Sequence, residues 1–328
     1  MTSDPKAAIA PFRAALYDFD MGALGRATQG LSDATIRLAH PFGTMDVSQL
    51  VGVYAGLSVA WPDLERRDTI VISGSDEDGA FWVGCCGYYC ATFSKAWLGI
   101  PPTGQMVGMR FHEFFRLEEN SVVEMQALWD IPHVMMQAGV WPMTPSLGLD
   151  WQVPGPGTQD GLGPHPKGDQ TQLVLDMLTA MTKHPSEGGP EVMEMDRFWH
   201  KNMSWYGPAG IGTCRGIEGF RNWHQIPFLN AMPDRGQNPD GTKGHFFGEG
   251  NYVGVTGWPN MRQTITGDGW LGIAPSGQDI TLRSLDFWRI ENGKIRENWV
   301  LVDILDMYAQ IGVDVMGRMR EFTKARLV

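Results

Sequence analysis

The amino-acid sequence predicts two consecutive α+β units of the same fold, each with N-terminal helices packed on a curved antiparallel sheet. Three observations lead to this prediction. The length of 328 residues exceeds that of one typical domain and suits two. A phrase is nearly repeated, because WLGIPPTGQ begins at Trp97 and WLGIAPSGQ begins at Trp270. Each half also starts with residues at helical spacing and continues with long strand-like runs.

The repeat extends without a gap over 43 positions, with residues 97–139 aligned to residues 270–312 at a constant offset of 173. Positions that are identical in both copies include Gly104/Gly277, Gln105/Gln278, Arg110/Arg283, Phe114/Phe287, Arg116/Arg289, Asp130/Asp303, Gln137/Gln310 and Gly139/Gly312. This period is far too long for a solenoid unit. The sequence therefore predicts two whole domains, over residues 1–140 and 171–328.

Residues 141–170, between the predicted domains, are dense in proline and glycine and show no sustained periodicity. Such a composition predicts a partly extended linker. Its Trp141 and Trp151 are large apolar side chains, which we expect to pin the linker to a domain surface.

Within each half, the elements are predicted in the same order. Helical spacing appears in AAIAPFRAALYDFD and VSQLVGVYAGLSVAWPD of the first half, and in TQLVLDMLTAMTK and GIEGFRNWHQIPFLNAMPD of the second. The runs MVGMRFHEFFRLEENSVVEMQALWDI and DITLRSLDFWRIENGKIRENWVLVDI predict long hairpins, the second with an Asn292-Gly293 turn. A short helix ended by a glycine follows each hairpin, in IPHVMMQAG and ILDMYAQIG.

Composition excludes several classes of function. The net charge is −11 and lysine and arginine are not clustered, which argues against nucleic-acid partners. No apolar run approaches 18 residues, so no membrane span is predicted, and the N-terminal sequence does not predict a signal peptide.

The four cysteines are Cys85, Cys86, Cys90 and Cys214. Neighbouring Cys85 and Cys86 point to opposite faces of a strand, which suits neither a zinc site nor a disulfide framework and favours a cytoplasmic location.

Motifs in both halves resemble one known family. The run G-I-x-P-[TS]-G, a strand ending in Asp, and the tail D-x₆-Q-x-G, present in Asp130–Gly139 and Asp303–Gly312, resemble the SnoaL-like polyketide cyclases. That family has the cone-shaped α+β fold of nuclear transport factor 2, so the resemblance implies two tandem cone-shaped α+β barrel domains. It covers most of both halves but not the linker.

The resemblance also implies a chemistry and an assembly. It implies a deep apolar pocket in each cone and an acid/base Asp at the end of the last strand, which is Asp130 in one half and Asp303 in the other. In the cyclases this Asp closes a ring by an aldol step without a metal or an organic cofactor. Family members commonly form dimers sheet to sheet, so a fused tandem implies an intramolecular pseudo-dimer, with further homo-oligomerisation left open.

Read from the residues alone, Asp303 has two interpretations. It ends the strand IRENWVLVD, whose alternation places Trp299, Leu301 and Asp303 on one face. A carboxylate among such side chains loses hydration and its pKa rises, as a general base near neutral pH requires. Alternatively, Asp303 caps the helix that follows it, because Asp is a favoured N-cap residue. The same two readings apply to Asp130.

Histidines supply candidate partners for these carboxylates. His224 lies on a predicted helix, and His245 lies just before a predicted strand; either one can polarise a carbonyl group or carry a proton. A structural role at the surface or in the core is the alternative for each. His112 is the corresponding candidate in the first half. The remaining predicted substrate-binding residues are Trp299, Asn298, Trp129 and two arginines, Arg283 and Arg110, as anion anchors or as strand salt-bridge partners.

The sequence departs from the family patterns at informative positions. Leu128 and Leu301 stand two residues before the Asp, where the cyclases have His, and His112 and Leu285 break the Asp-Arg-Asp pattern of the epoxide hydrolases of this superfold. The glycine-rich run GPAGIGTCRG lacks the ending of a phosphate-binding loop and is interpreted as a lid over the second pocket. No His, Cys or Asp group has metal-ligand spacing.

The sequence therefore predicts a cofactor-independent enzyme whose acid/base Asp acts on an apolar, carbonyl-bearing metabolite. The reaction is of the cyclase, isomerase, dehydratase or hydrolase type, and the second half is expected to hold the catalytic pocket, with the first as scaffold or as a second site. The alternatives are a non-catalytic small-molecule binding protein of the same superfold and an assembly module whose apolar surface is buried in an oligomer.

Overall fold

The computed structural model describes residues 4–31, 33–235, 242–267 and 270–324, and it contains two six-stranded mixed sheets, each with helices. This confirms the predicted fold class of two α+β units. We call the unit that holds β1–β6 the first unit and the unit that holds β7–β14 the second unit. The strands are β1 Thr35–Leu38, β2 Gly43–Met45, β3 Glu65–Ser75, β4 Phe81–Thr92, β5 Met106–Glu118, β6 Ser121–Trp129, β7 Trp199–Tyr206, β8 Thr213–Arg215, β9 His245–Glu249, β10 Tyr252–Thr256, β11 Met261–Thr264, β12 Asp279–Leu282, β13 Ser284–Glu291 and β14 Lys294–Val302.

The structure forms helices in each segment where the apolar spacing predicts them, and it also has helices at Met21–Ala27, Met195–Phe198 and Val315–Thr323 that were not predicted. They are α1 Ala10–Tyr17, α2 Met21–Ala27, α3 Val47–Ala60, α4 Ile131–Gln137, α5 Thr171–Met181, α6 Met195–Phe198, α7 Gly216–Phe220, α8 Ile226–Ala231, α9 Ile304–Gln310 and α10 Val315–Thr323. A π-helical turn, Arg221–Gln225, joins α7 to α8. The start of α3 shows why the sequence forms these elements, because Asp46 and Gln49 make a reciprocal capping box.

The two sheets have equivalent strand orders, β2-β1-β6-β5-β4-β3 and β8-β7-β14-β13-β10-β9. Each has one parallel pair, β1 with β6 and β7 with β14, and its remaining pairs are antiparallel. The predicted hairpin turn is formed at Asn292-Gly293, where both residues have positive φ angles of 52° and 73°. The sequence repeat thus corresponds to a repeat of topology.

The two sheets pack against each other through one face of each, and equivalent positions meet there. The rings of Phe114 and Phe287, 173 residues apart, stack with centroids 4.9 Å apart. His112 Nδ1 lies 2.5 Å from the carbonyl oxygen of Leu285, its equivalent in the second unit. Equivalent positions of the two units are therefore in direct contact.

Glycines opposite the stacked rings allow the sheets to come this close. Gly84 pairs with Phe114 and Gly254 pairs with Phe287. A Cβ atom on Gly84 would lie 2.9 Å from the Phe114 ring, and one on Gly254 would lie 3.2 Å from that ring. A larger residue at Gly84 would therefore push the stacked rings away from the strand.

Residues 141–170 run along the seam between the sheets and bond to both units. Tyr88 Oη donates to the Val153 carbonyl at 2.6 Å, and Trp299 Nε1 donates to the Pro154 carbonyl at 2.9 Å. Trp151 Nε1 donates to Thr213 Oγ1 at 3.0 Å, so this tryptophan holds the linker to the edge of the second sheet. In the described part of the chain, no helix is both long enough and apolar enough to span a membrane.

Candidate functional site

The second unit holds a cavity of about 90 Å³, and the empty space counted out to its open mouth is about 680 Å³. Its wall comes from α5, the α7–α8 segment, β7, β13 and β14. The lining residues are Met177, Leu178, Met181, Trp199, Trp205, Ile211, Phe220, His224, Gln225, Phe228, Leu229, Arg235, Met261, Trp270, Leu282, Ser284, Asp286, Trp288, Asn298, Val300 and Val302. A mostly aromatic and aliphatic wall with a few polar groups is typical of a binding site.

Strand alternation decides which side chains face this cavity. On β13, Leu285 and Phe287 face the other sheet, so Ser284, Asp286 and Trp288 face inward. On β14 the inward-facing residues are Asn298, Val300 and Val302. The wall therefore places one carboxylate on an otherwise largely apolar pair of strands.

That carboxylate, Asp286, is tuned by its surroundings. Burial raises its pKa to about 7, while a hydrogen bond from Ser284 and the charges of Arg235 and Arg110 act in the opposite direction. The Ser284 hydroxyl donates to Oδ1 at 2.8 Å. Burial also lowers the pKa of the neighbouring Arg235, and Asp286 counteracts it. A carboxyl group with a pKa near neutrality can both accept and donate a proton at physiological pH.

His224 presents a neutral imidazole to the same cavity. The π-helical turn carries it, and turns of this kind are frequent at functional sites. Its ring stacks on Trp205 with centroids 3.9 Å apart and an interplanar angle of 15°. Burial, helped by the charge of Arg235, lowers the pKa of His224 to about 3. The ring is therefore uncharged above about pH 4 and offers one donor nitrogen and one acceptor nitrogen.

Several buried polar atoms around the cavity have no hydrogen-bond partner among the described residues. They are Nε1 of Trp199, Trp270 and Trp288, Nδ1 of His224 and Oε1 of Gln225. Buried polar groups in proteins are nearly always hydrogen-bonded. A ligand that carries oxygen atoms on an otherwise apolar frame would supply acceptors to the three indole donors.

The first unit has a carboxylate at the equivalent position, but its interior is differently arranged. Glu113, the counterpart of Asp286, is fully buried and accepts bonds from Arg66 Nη1 at 2.5 Å, Tyr89 Oη at 2.8 Å and Trp129 Nε1 at 3.1 Å. The Arg66 guanidinium lies over the Phe111 ring at 4.1 Å. These side chains fill the space that a ligand would need, and they already bind the oxygens of the Glu113 carboxylate.

Of the residues that the sequence singled out, His224 and Asn298 line the cavity. Asn298 donates through Nδ2 to the Phe287 carbonyl at 3.1 Å, which orients its amide. Trp129 faces the interior of the first unit, where it bonds to Glu113. The other predicted site residues lie at or beside the contact between the units.

Asp303 and Asp130 do not line this cavity. Oδ1 of Asp303 caps α9 by accepting from Asp306 N at 3.2 Å, and its Oδ2 accepts from His40 N of the first unit at 3.0 Å. Oδ1 of Asp130 caps α4 in the same way, and its Oδ2 accepts from Ala209 N of the second unit at 3.2 Å. Each aspartate therefore joins a helix start to the other unit, as the capping interpretation expects. Burial also raises the pKa of Asp303, as the alternative interpretation of that residue expects.

The expectation that Trp299 and Asp303 share a pocket face within the cone is corrected by the structure. A period of two sorts the residues of a strand into two faces, but it does not say which face is inside. The face that carries Leu301, Trp299 and Asp303 packs on the first unit. His112 lies on the corresponding face of β5, as does Arg110, which bonds to backbone carbonyls of the second unit.

Arg283 and His245 also lie outside the cavity. Arg283 Nη1 pairs with Asp303 at 3.0 Å and with Asp306 at 3.2 Å, and the guanidinium lies over Trp258. His245 Nδ1 lies 2.7 Å from Asp76 Oδ2, across the contact between the units.

Asp76, Asp78 and His245 offer three ligand atoms within 4.8 Å of one another, a metal-capable group that sequence spacing did not indicate. These atoms already have protein partners, because Asp76 pairs with His245 and Asp78 with Lys243.

The glycine-rich loop after β7 is a wall rather than the predicted lid. Residues 207–212 are buried, and Gly210 N donates to Ser146 Oγ of the linker at 2.9 Å. A Cβ atom on Gly212 would lie 2.4 Å from the backbone of Gly148, so the linker packs directly on the loop. The polar sequence PDRGQNPDGTKG, residues 233–244, predicts a mobile loop, and its residues 236–241 lie outside the described residues.

Asp286, Arg235 and Ser284 are site residues that sequence reasoning missed. The signal was present on β13, where SLDFWRI alternates and puts Ser284, Asp286 and Trp288 on one face. The sequence predicted Asp303, which follows β14, as the acid/base group instead. Arg235 comes from a loop, where no periodicity points to its neighbours.

The comparison with family models concerns the part of the chain that builds this cavity. The model described as SnoaL-like polyketide cyclase matches residues 190–311. This segment is SnoaL-like. It includes the π-helical turn, Arg235 and all strands of the second sheet, whereas α5, which also lines the cavity, precedes it.

Solved structures that resemble the chain each cover about two fifths of it. AclR from Streptomyces galilaeus is 21% identical, with a TM-score of 0.36, over 42% of this chain and 98% of its own. IdmH from Streptomyces antibioticus is 23% identical, with a TM-score of 0.35, over 42% and 99%. A SnoaL-like protein from Jannaschia sp. CCS1 is 19% identical, with a TM-score of 0.35, over 40% and 89%. No curated protein matches the chain.

Proposed function

We propose that this protein is a cofactor-independent enzyme of the cyclase or isomerase type, and that Asp286 is its acid/base group. The substrate is an apolar small molecule that carries a carbonyl group and binds in the cavity of the second unit. The observation that carries the proposal is a carboxyl group with a pKa of about 7 on the wall of an apolar cavity. The match of residues 190–311 to SnoaL-like polyketide cyclases supports the same class of reaction.

The residues around Asp286 suit proton transfer next to a carbonyl group. The Asp286 carboxylate takes a proton from the carbon beside the carbonyl, and the electron pair of the broken C–H bond moves onto the oxygen to form an enolate. Arg235 and a nitrogen–hydrogen group of neutral His224 stabilise the developing negative charge. Such stabilisation is strong because the cavity is apolar and shields the charges from water.

Two outcomes follow from this enolate, and both return the proton. In an isomerisation, protonated Asp286 gives its proton to another carbon of the same conjugated system. In a ring closure, the enolate carbon attacks a second carbonyl of the substrate, a C–C bond forms, and the new alkoxide takes the proton from Asp286. Neither route consumes an oxidant, a reductant or a further reactant.

We also retain a second candidate, a non-catalytic binding protein that uses the same cavity. The aromatic wall favours it, because stacking on Trp205 and Trp288 and burial of apolar area bind a flat ligand without any chemistry. Under either function, we propose that the two units act as an intramolecular pseudo-dimer and that the protein works in the cytoplasm.

A panel of enolisable aromatic ketones, including 1-hydroxy-2-acetonaphthone, tests the proposal. Binding is measured as the rise in thermal midpoint of the wild type, of Asp286→Asn and of Asp303→Asn, because a ligand that binds the folded state stabilises it by an amount that grows with its concentration relative to Kd. Exchange of carbon-bound protons for deuterium in bound ketones is then followed by NMR. We expect exchange with the wild type and Asp303→Asn and none with Asp286→Asn. Binding without exchange in all three proteins would favour the non-catalytic candidate.

A further inference from the structure

We propose that Arg110, from the first unit, is a positioning residue for the cavity of the second unit, so that the site depends on both units. This inference rests on the proposed function of the cavity and adds a residue that lies outside it. It concerns how the wall is held in place and assigns Arg110 no contact with substrate.

Arg110 reaches across the contact between the sheets and binds three backbone carbonyls. Its Nη1 donates to Tyr206 O at 3.0 Å, and its Nη2 donates to Gly207 O at 2.8 Å and to Val300 O at 3.0 Å. The side chain is nearly completely buried, with 1% of the residue exposed. A planar guanidinium holds several acceptors in a fixed geometry, which a lysine ammonium does not.

These carbonyls lie where the strands of the cavity wall separate. The parallel pairing of β7 with β14 ends at the residue pair Tyr206 and Trp299. Gly207 and Val300 are the next residues along each strand. Arg110 therefore joins the end of β7 to β14 just past their last shared pair, where backbone hydrogen bonds between these two strands no longer do so.

The side chains beside these carbonyls form the wall of the cavity. Val300 itself lines it, and so does Trp205, which precedes Tyr206 and carries the stacked His224 ring. Ile211, four residues after Gly207, lines it as well. Movement of the strand ends would shift His224 and the apolar wall relative to Asp286, and a displacement near 1 Å costs roughly 10²-fold in rate.

The equivalent arginine in the second unit shares only part of these contacts. Arg110 Nη2 lies 3.6 Å from Asp130 Oδ2, and Arg283 pairs with the equivalent Asp303. The bonds of Arg283 are to Asp303 and Asp306 of its own unit, and its guanidinium covers Trp258. The sequence repeats the arginine, but only the first copy binds backbone carbonyls of the other unit among the described residues. The arginine that reaches across the contact thus binds the unit whose interior is open as a cavity.

The test uses the full chain and compares Arg110→Lys and Arg110→Met with the matched variant Arg283→Lys. The first readout is the indole ¹H–¹⁵N signals of Trp205 and Trp288, which report on the wall without any substrate. The second is the titration of the Asp286 carboxyl carbon by ¹³C NMR, assigned by its loss in Asp286→Asn. The third is the deuterium-exchange rate of 1-hydroxy-2-acetonaphthone.

We expect Arg110→Lys to shift the Trp205 signal and slow exchange by about tenfold, while the Asp286 titration stays near that of the wild type because the charge is kept. Arg110→Met is expected to add an upward shift of that titration, since a nearby cation is lost. Arg283→Lys should change neither tryptophan signal. If Arg110→Met does not fold, Arg110→Lys still decides the matter.

An unchanged Trp205 signal in Arg110→Lys, together with unchanged exchange, would overturn the positioning role. Failure of the proposed function has a different signature. In that case exchange is absent from the wild type or persists in Asp286→Asn, whereas the Arg110 variants still move the tryptophan signals.

Discussion

Glu113 and Asp286 stand at equivalent positions of the two units, yet their carboxylates are in opposite situations. Glu113 accepts hydrogen bonds from Arg66, Tyr89 and Trp129 inside a filled core. Asp286 faces a cavity and accepts a bond from Ser284. One carboxylate is thus used in stabilising the core, and the other is available for chemistry.

Asp286→Asn is expected to reduce turnover by at least about 10²-fold with little effect on ligand binding, because general acid–base groups contribute roughly 10²–10⁴-fold to rate. The amide keeps the shape of the side chain but cannot take up the proton. Turnover and ligand-induced thermal shift are to be measured on the same preparations. A variant that retains most of its activity would exclude Asp286 as the acid/base group.

Turnover should depend on pH through Asp286. Because burial raises its pKa to about 7, the basic form is lost below neutrality, and we expect activity to fall as the pH drops from 8 to 6.

The raised pKa of Asp286 also affects the stability of the fold. A carboxyl group whose folded pKa lies above its unfolded value of 3.8 contributes stability below pH 4, and this contribution is lost as the pH rises through 7. The thermal midpoint of Asp286→Asn relative to the wild type should therefore be higher at pH 8 than at pH 5.

His224→Gln is expected to lower turnover by about tenfold. The pH at which activity falls on the acid side should not change. The reason is that the pKa of His224, about 3, keeps the ring neutral over the whole working range. Complete pH–rate profiles of both proteins provide the measurement. If the acid-side fall in activity moved by a full pH unit, the imidazole of His224, rather than Asp286, would set the pH–rate profile.

Glu113→Gln is expected to destabilise the protein by about 1–3 kcal/mol, because the buried Arg66 loses one of its two carboxylate partners and keeps only Asp68. Urea unfolding measures the loss. At low urea concentration the folded fraction should turn over substrate at the wild-type rate. Loss of activity in a protein that remains folded would mean that the first unit has a site of its own.

Asp303→Ala should cost about 1–2 kcal/mol in stability, because it removes the N-cap of α9 and the bond from His40. Turnover per folded molecule is expected to stay within about threefold of the wild type, since Asp303 lies outside the cavity. Asp130→Ala is the matched variant on the other side of the contact. A specific loss of turnover in Asp303→Ala alone would restore the catalytic interpretation of this residue.

Local sequence patterns predicted the helices, strands and turns well. Contacts between the units decide which side chains face the cavity, and local patterns do not show this. Helical spacing in TQLVLDMLTAMTK corresponds to α5, and the Asn292-Gly293 turn lies where the sequence places it. Both are properties of a short stretch of chain. Whether Trp299 or Asn298 faces the cavity depends on what covers each side of β14, and that information lies in another part of the sequence.

The candidate site was predicted in part for the same reason. His224 was found because a histidine in an apolar helical segment is conspicuous. Asp303 was favoured because it ends a strand, and the family resemblance pointed to the same position. Asp286 lies in the middle of a strand, and its chemistry comes from burial and from Arg235, which is 51 residues earlier in the chain.

The linker over residues 141–170 changes how this contact responds to dilution and to mutation. Two separate chains would meet only above a certain concentration, whereas units that are joined meet at any concentration, and their melting temperature should not vary with protein concentration. In a dimer of identical chains every substitution occurs on both sides. A single chain encodes its two sides independently, which is how Glu113 in one unit can coexist with Asp286 in the other.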